Sequence, residues 1–324
     1  MARQDRLLSK YKKIDLSKIK TLKAAERATK SDISAFGRAI DPNVPISEFL
    51  KSLPQFLKAK DLLELAEKVA LAKSNRKAII WMMGAHPIKV GLSPVINDLI
   101  KNGFISHLAF NGAGAIHDIE IAFFGRTSED VADTLADGIF GMVEETPKLI
   151  FDAAKEAYQN GLGFGEGLGK YVEREAPAFP EQSIFRECYV NDVPATVHVA
   201  IGTDTLCQHP GFDGATMGKL SYDDFRIFAQ SITHLSNGVI INIGSAVVLP
   251  EVFLKALTVA RNIAGPVDNF TAANFDMIQH YRSNTNVIAR PVGKKGIGYS
   301  FTGHHEIMLP LLAAAIKAKY KEFA

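Results

Sequence analysis

LAFNGAGAIHDIE, residues 108–120, decides how the rest of the chain is read. Leu108–Phe110 is a short apolar run. Gly112-Ala113-Gly114-Ala115 is a turn of small residues, and an apolar run with helical spacing opens after it. A buried strand that feeds a small-residue turn and a helix start is the βα unit of α/β proteins, where backbone N–H groups approach a phosphate. His117 and Asp118 lie just inside that helix, and an acid there is placed to hold ribose hydroxyls. Two readings stay open: a dinucleotide site outside the usual G-x-G-x-x-G form, and a tight turn that needs small residues and binds nothing.

The same rhythm extends both ways from this segment. Residues 77–83, KAIIWMM, are a compact apolar run that stops at Gly84, and 94–102 has helical spacing before the strand at 105–110. Residues 46–73 are helical, interrupted at Pro54. Downstream, 195–200 is a strand ending at Gly202-Thr203-Asp204, and 238–243 is a strand ending at Gly244-Ser245-Ala246, with a helix at 249–262. Residues 277–280 and 287–289 add short strands. Residues 298–301 precede Thr302-Gly303-His304-His305 and a final helix at 306–319. This alternation predicts an α/β fold, a mostly parallel, doubly wound, Rossmann-like sheet with helices on both faces and an N-terminal helical extension. The division expected is a basic arm and helical extension over 1–74, then one Rossmann-like catalytic domain over 75–324. That domain carries a helical, glycine-rich insert at about 130–180. Within the insert, Gly161–Gly169 reads either as a mobile lid or phosphate loop, or as a flexible connection between helices.

Composition bounds the function. The chain has 324 residues, 47% hydrophobic and 22% charged, with a net charge of +2, which is an ordinary globular composition and argues against a general nucleic-acid binder. No run is long and apolar enough to span a membrane, and the start, MARQDRLLSKYKK, lacks a signal-peptide apolar region. Cys188 and Cys207 form no C-x-x-C and suit a reducing cytoplasm. Residues 1–30 are rich in Lys and Arg, including Arg3, Arg6, Lys10, Lys12, Lys13 and Lys18. Such a stretch is either an arm for an acidic partner or neighbouring subunit, or a solvated tail.

Ligands of doubly wound sheets sit at the carboxyl ends of the strands. There the sequence sets Gly84-Ala85-His86, Gly112–Asp118, Asp204, Gly244-Ser245 and Gly303-His304-His305, a recurrence of small and polar residues that points to a small-molecule site. His86, His117, His209, His304 and His305, with Asp118 and Asp204, would supply nitrogen and oxygen metal ligands if they converged, but no spacing matches a motif such as H-E-x-x-H. His107, His198 and His234 read as hydrogen-bonded structural residues. Lys294 and Lys295 form a basic turn, either an exposed hairpin or a lysine poised to form an imine.

The order of four motifs resembles the deoxyhypusine synthase family over roughly residues 75–315: AFNGAGAIHDIE (109–120), VPATVHVAIGTDT (193–205), NIGSAVVLPEVF (242–253) and GHHEIMLPLLAA (303–314). That family uses NAD to oxidise spermidine and transfers an aminobutyl group through a lysine imine. The resemblance implies a homotetrameric, NAD-dependent transferase. It implies NAD contacts at Ala113, Gly114, Asp118, Asp204, Gly244, Ser245, His304 and His305, and the strand ends add Gly84, Ala85, His86, Gly112, His117 and Gly303 to the expected cofactor site. It implies a catalytic role for Lys294, while His209 and His304 are candidates for moving protons near neutral pH. Val292 stands in place of the family's tryptophan before Gly-Lys, Pro250 in place of a substrate-handling histidine, and His209 in place of an amine-gripping acid. Between Ile278 and Tyr299 there is no acid, only Arg282, Arg290, Lys294 and Lys295. A polyamine needs paired carboxylates, so Arg282 and Arg290 favour a substrate that carries an anion. Residues 111–120 also resemble an NAD-dependent ornithine cyclodeaminase domain. The expected activity is oxidation of a primary amine on a substrate other than spermidine. The alternatives are an amino-acid cyclodeaminase, a non-catalytic dinucleotide binder and a metal-dependent hydrolase. The expected partners are a small amine or amino acid and further copies of the chain.

Overall fold

The computed structural model describes residues 9–323, so Arg3 and Arg6 of the basic arm lie outside the described residues. Six strands form one sheet: β1 (Ile79–Met83), β2 (His107–Asn111), β3 (Ala195–His198), β4 (Val239–Ile243), β5 (Thr271–Asp276) and β6 (Ile297–Thr302). All neighbours pair in parallel, in the order β3-β2-β1-β4-β5-β6. The first strand therefore lies in the centre, and the order reverses between β1 and β4. This is the doubly wound arrangement that the alternating pattern predicts.

The central strands β1 and β4 are almost wholly apolar because both faces of the sheet are covered there. In β1, alternate side chains enter different cores. Ile79, Trp81 and Met83 belong to a core with Leu65 and Val69 of the helix Leu57–Ser74, and with Leu309 and Leu312 of the helix His305–Phe323. Ile80 and Met82 face Phe228 of the helix Gly214–Ile232 and Phe253 of the helix Val248–Ala264. The helical run at 46–73 divides at Pro54 into Ile46–Ser52 and Leu57–Ser74, as its proline requires.

Two sequence expectations change. Residues 277–280 and 287–289 are not strands. The strand is Thr271–Asp276, and the chain then crosses back through Tyr281–Ser283, a π-helical turn at Asn284–Ala289 and Arg290–Val292. Strand β5, TAANFD, carries polar residues whose amides are satisfied inside the fold, so it does not show as an apolar run.

The glycine-rich run is neither a lid nor a flexible link. Phe164–Glu175 is a helix, and its glycines are where it packs. A Cβ on Gly165 would stand 2.2 Å from the Ala195 carbonyl oxygen of β3. One on Gly167 would stand 2.4 Å from Ala157 Cβ, and one on Gly169 2.4 Å from the Phe185 carbonyl oxygen. The start of this helix is fixed by buried Asp224, which accepts from the N–H groups of Phe164, Gly165 and Val197.

Residues 9–45 are almost wholly exposed and contain three single 3-10 turns, Leu16–Lys18, Ala24–Glu26 and Ile33–Ala35. Among the described residues, no helix is long and apolar enough to cross a membrane. The packing of the glycine helix is testable. Gly165→Ala should lower stability by about 1–3 kcal/mol in urea denaturation, because Ala195 backbone must move. Gly218→Ala, in an open helical position, should raise it by roughly 0.5–1 kcal/mol. Equal midpoints for wild type and Gly165→Ala would show that the helix is not packed on β3.

Candidate functional site at the strand reversal

The turns after β1 and β4 meet where the strand order reverses. Gly84 N–H donates to the Ile243 carbonyl at 2.9 Å, and Gly244 N–H to the Phe275 carbonyl at 2.9 Å. A Cβ on Gly84 would lie 2.4 Å from the Gly244 carbonyl oxygen, so only glycine allows this approach. Gly244 has φ +63°, and a Cβ there would meet His305 Cε1 at 2.7 Å. Ser245 is buried, and its hydroxyl accepts from Leu249 N–H at 3.2 Å, capping the helix that follows β4. Gly303 N–H continues the β6 ladder to the Asp276 carbonyl at 3.1 Å.

Two histidines separated by 219 positions close this cluster: His86 Nδ1 and His305 Nδ1 lie 2.9 Å apart. His305 Nε2 is 3.2 Å from the Phe275 carbonyl oxygen, which only accepts. That contact assigns the proton of neutral His305 to Nε2, and its Nδ1 then accepts from His86 Nδ1–H. His86 is left with Nε2 as its proton-accepting atom. Burial, then the neighbouring His305, hold the His86 imidazole below its ordinary pKa of 6.5, while Lys89 lowers it further and Glu306 and Asp276 oppose. His304 is exposed beside Glu306.

Under these turns lies a polar layer that no sequence motif announces. Asn242 Nδ2 donates to the Asn274 side-chain oxygen at 2.7 Å and to the Ser245 carbonyl at 2.9 Å. Asn274 donates to Gln279 at 2.9 Å, and Gln279 to the Phe301 carbonyl at 2.8 Å. Ser283 Oγ donates to the Ser245 carbonyl at 3.1 Å. Asn242 and Asn274 are register partners in β4 and β5. Their signal was a lone asparagine inside GVIINIG, costly in a buried strand unless it has work to do. Asn242 Oδ1 is buried without a partner among the described residues. Exposed apolar side chains stand just beyond the strand ends: Ile201, Val247 and Ile278 on loops, and Tyr281 and Ile307 in the first turns of the helices that follow.

Other expected site residues fall elsewhere. The turn Gly112-Ala113-Gly114 follows β2, one strand away from the reversal. Asn111 caps it by accepting from Gly114 N–H at 3.1 Å. A Cβ on Gly112 would strike the Asp204 carboxylate, and one on Gly114 would strike Phe110, so both glycines answer packing. Asp204 is half-buried, and burial raises its carboxyl above the ordinary value. Asp118 does not reach the surface. Its carboxyl accepts from Ser183 Oγ at 2.5 Å and Ile184 N–H at 2.6 Å, anchoring the start of the helix Ile184–Val190. Burial pushes it up to about 7 against those hydrogen bonds, so it cannot hold a ribose. His117 hydrogen-bonds Thr127 Oγ1 at 2.6 Å, and His209 Nε2 donates to the Gly141 carbonyl at 2.7 Å. Neither reaches the reversal turns.

Lys294 lies at the wrong end of the sheet for an imine in the crevice. It is exposed in the turn that enters β6, so roughly 20 Å of strand separates it from the C-terminal edge. Lys295 beside it pairs with Asp268 at 2.9 Å. Arg282 stands at the start of the β5–β6 crossover, with Nε 3.3 Å from Glu251, while Arg290 bonds Asn286 at the far end. Among the described residues, no three His, Cys, Asp or Glu side chains come together as a metal site. A cavity of about 510 Å³ opens at the N-terminal edge beside Lys68, Lys77, Asn237 and Asn269. Another of about 240 Å³ lies between Leu50, Leu63 and Ala315; both are away from the reversal.

No family model and no curated protein matches the chain. Among solved structures, it matches a conserved LOR/SDH protein of Methanococcus maripaludis at TM-score 0.53 and 15% identity, over 90% of this chain and 74% of that one. ArgZ, an arginine dihydrolase of the cyanobacterial ornithine–ammonia cycle, matches at 0.51 and 15% identity, over 81% of this chain and 33% of its own. AgrE, solved as a ternary complex with ornithine and NAD+, matches at 0.51 and 14%, over 80% and 33%. A protein of Entamoeba histolytica assigned as a deoxyhypusine synthase matches at 0.49 and 11%, over 86% and 95%. The chain thus spans about a third of the length of ArgZ and AgrE. The likeness is one of fold: a doubly wound, Rossmann-type α/β protein.

The remaining core histidines give a pH signature. His107 bonds Ser231 and Thr196, and His198 bonds the same Thr196, inside β2 and β3. Burial lowers both from 6.5 to about 3. Between those values the unfolded chain binds protons that the folded chain refuses, so their contribution is complete above about 6.5 and is lost as pH falls. The urea midpoint of His198→Asn should therefore fall less steeply than that of wild type between about pH 6.5 and 4. Parallel pH curves would show that His198 is not held neutral.

Proposed function

We propose that this chain is an NAD-dependent enzyme that oxidises a primary amine of a small molecule, with the dinucleotide lying across the C-terminal ends of β1 and β4. The observation that carries this reading is the meeting of the Gly84 and Gly244 turns where the strand order reverses. The turns are in contact, so the ligand lies over them rather than in a closed cavity.

The residues present fit the group. Ser245 and Ala246 lead from Gly244 into the helix Val248–Ala264, whose positive end suits the diphosphate, with the Val248 N–H as the donor left open in its first turn. Gly84 and Gly244 let the two turns pack on each other and on His305, so the cofactor would lie beyond this contact, along the start of the helix Val248–Ala264. NAD, when bound, supplies the acceptor for a hydride leaving the carbon that bears the amine. His86 holds its proton at Nδ1 toward His305 and offers Nε2 to the proton that the amine must lose. Its lowered pKa keeps it unprotonated near pH 7, so that Nε2 is free to accept. His304, Asp204 and Gly303 border the same edge. In this reading, residues 75–324 act as one catalytic unit. The shared fold of AgrE, solved with ornithine and NAD+, supports a dinucleotide site and an amino-acid substrate.

Lys294 takes no part in this reading, because it stands at the opposite edge of the sheet. The oxidised amine is then captured by water or by a second group of the substrate. Arg282, half-exposed beside Glu251, favours the second route, an amino acid whose carboxylate meets the guanidinium and whose second amine attacks the imine carbon and expels ammonia as the ring closes, as in a cyclodeaminase.

Calorimetric titration of NAD into wild type and Ala246→Asp tests the proposal. An acid at a helix N-terminus leaves the helix intact but repels a diphosphate, so affinity should fall by about tenfold or more, ~1.4 kcal/mol, with unchanged thermal melting. Lys294→Ala should bind NAD as wild type does. No saturable binding by wild type, or equal binding by Ala246→Asp, would contradict the placement.

A further inference from the structure

Two exposed segments of this chain have matching and opposite character. The first is the arm from Lys10 to Lys30. It carries eight basic side chains against Asp15 and Glu26, with Tyr11, Ile14, Leu16, Ile19 and Leu22 set between them. These five apolar side chains are all more than 60% exposed. The second runs from Glu129 to Glu145 and carries six acids, Glu129, Asp130, Asp133, Asp137, Glu144 and Glu145, with no basic residue. Val131, Leu135, Ile139, Met142 and Val143 are exposed within it. Val131 and Leu135 share one face of the helix Val131–Ala136, one turn apart.

Among the described residues, no hydrogen bond or ion pair joins the two segments, and both are open to solvent. The arm is tethered at its far end, where Gln55 N–H donates to the Ala35 carbonyl, Arg38 N–H to the Ser52 carbonyl, and Phe36 stacks edge-on against Phe56. Residues 10–30 project beyond that anchor. Contiguous apolar surface left in water marks an interaction site. Here the two surfaces carry net charges of equal size and opposite sign.

We propose that the arm of one copy docks on the 129–145 segment of a second copy. The occupant is a second copy because both complementary surfaces belong to one chain, and in a two-fold dimer each contact occurs twice. Arm and segment together span 38 residues a side, enough to supply the roughly 20–30 that a stable interface uses. Apolar side chains give the contact its affinity, and the opposed charges give register and salt dependence. This inference is independent of the cofactor reading.

Sedimentation velocity of the full chain at low salt tests it through charge reversal. Asp133→Lys/Asp137→Lys/Glu144→Lys changes three exposed acids that make no hydrogen bond among the described residues. Lys12→Glu/Lys18→Glu/Lys20→Glu/Lys23→Glu reverses the arm. Wild type should form dimers or larger assemblies at micromolar concentration. Each reversal alone should weaken assembly at least tenfold, while an equimolar mixture of the two should assemble as wild type does. That recovery also separates a contact between copies from one within a chain. A monomeric wild type, an assembly indifferent to either reversal, or a mixture that fails to recover would overturn the proposal.

Discussion

The structure depends on one constraint: β1 must be central, with parallel partners on both sides. Its residues pair in register with β2 on one edge and β4 on the other, so Met83 faces Phe110 and Ile243. The chain runs outward from β1 in both directions, and the turns after β1 and β4 must diverge to opposite faces. Where they part, backbone meets backbone, and Gly84 and Gly244 are the residues that allow it. Everything placed at the candidate site follows: the helix that starts after Ser245, the histidine pair above the turns and the asparagine layer beneath them.

That layer explains why a polar cluster sits in an otherwise apolar sheet. Asn242, Asn274 and Gln279 tie the ends of β4 and β5 and the entry to the crossover into one hydrogen-bonded unit. An unpaired amide there would be costly, so the network fixes one arrangement of the turns. His305, held by the Phe275 carbonyl, extends this order to His86. A side chain whose tautomer is set by its neighbours is better suited to proton transfer than a free one.

Much of the fold was legible in the sequence, and the reasons are physical. β1 to β4 are buried and mainly apolar because both faces of the sheet are covered, and Pro54 and the small-residue turns mark the breaks. β5 was missed because Asn274 and Asp276 look like a turn until their partners are known. Lys294 was singled out by its Gly-Lys context, which carries no sign of which end of the sheet it occupies, and the strand begins after it. Asp118 was legible on closer reading, since it shares the inward stripe of Ala115, Ile119 and Ala122 in its helix. The approach of His86 to His305 carries no local signal at all.

Hydrogen–deuterium exchange of the full chain, with and without NAD, tests the central claim most directly. The account predicts slowed exchange in the turns at 84–89 and 244–250 and at the start of the last helix, 303–308. The Gly112 turn and the Lys294 turn should change little. Protection centred on 112–118 or 293–297, or no protection anywhere, would contradict it.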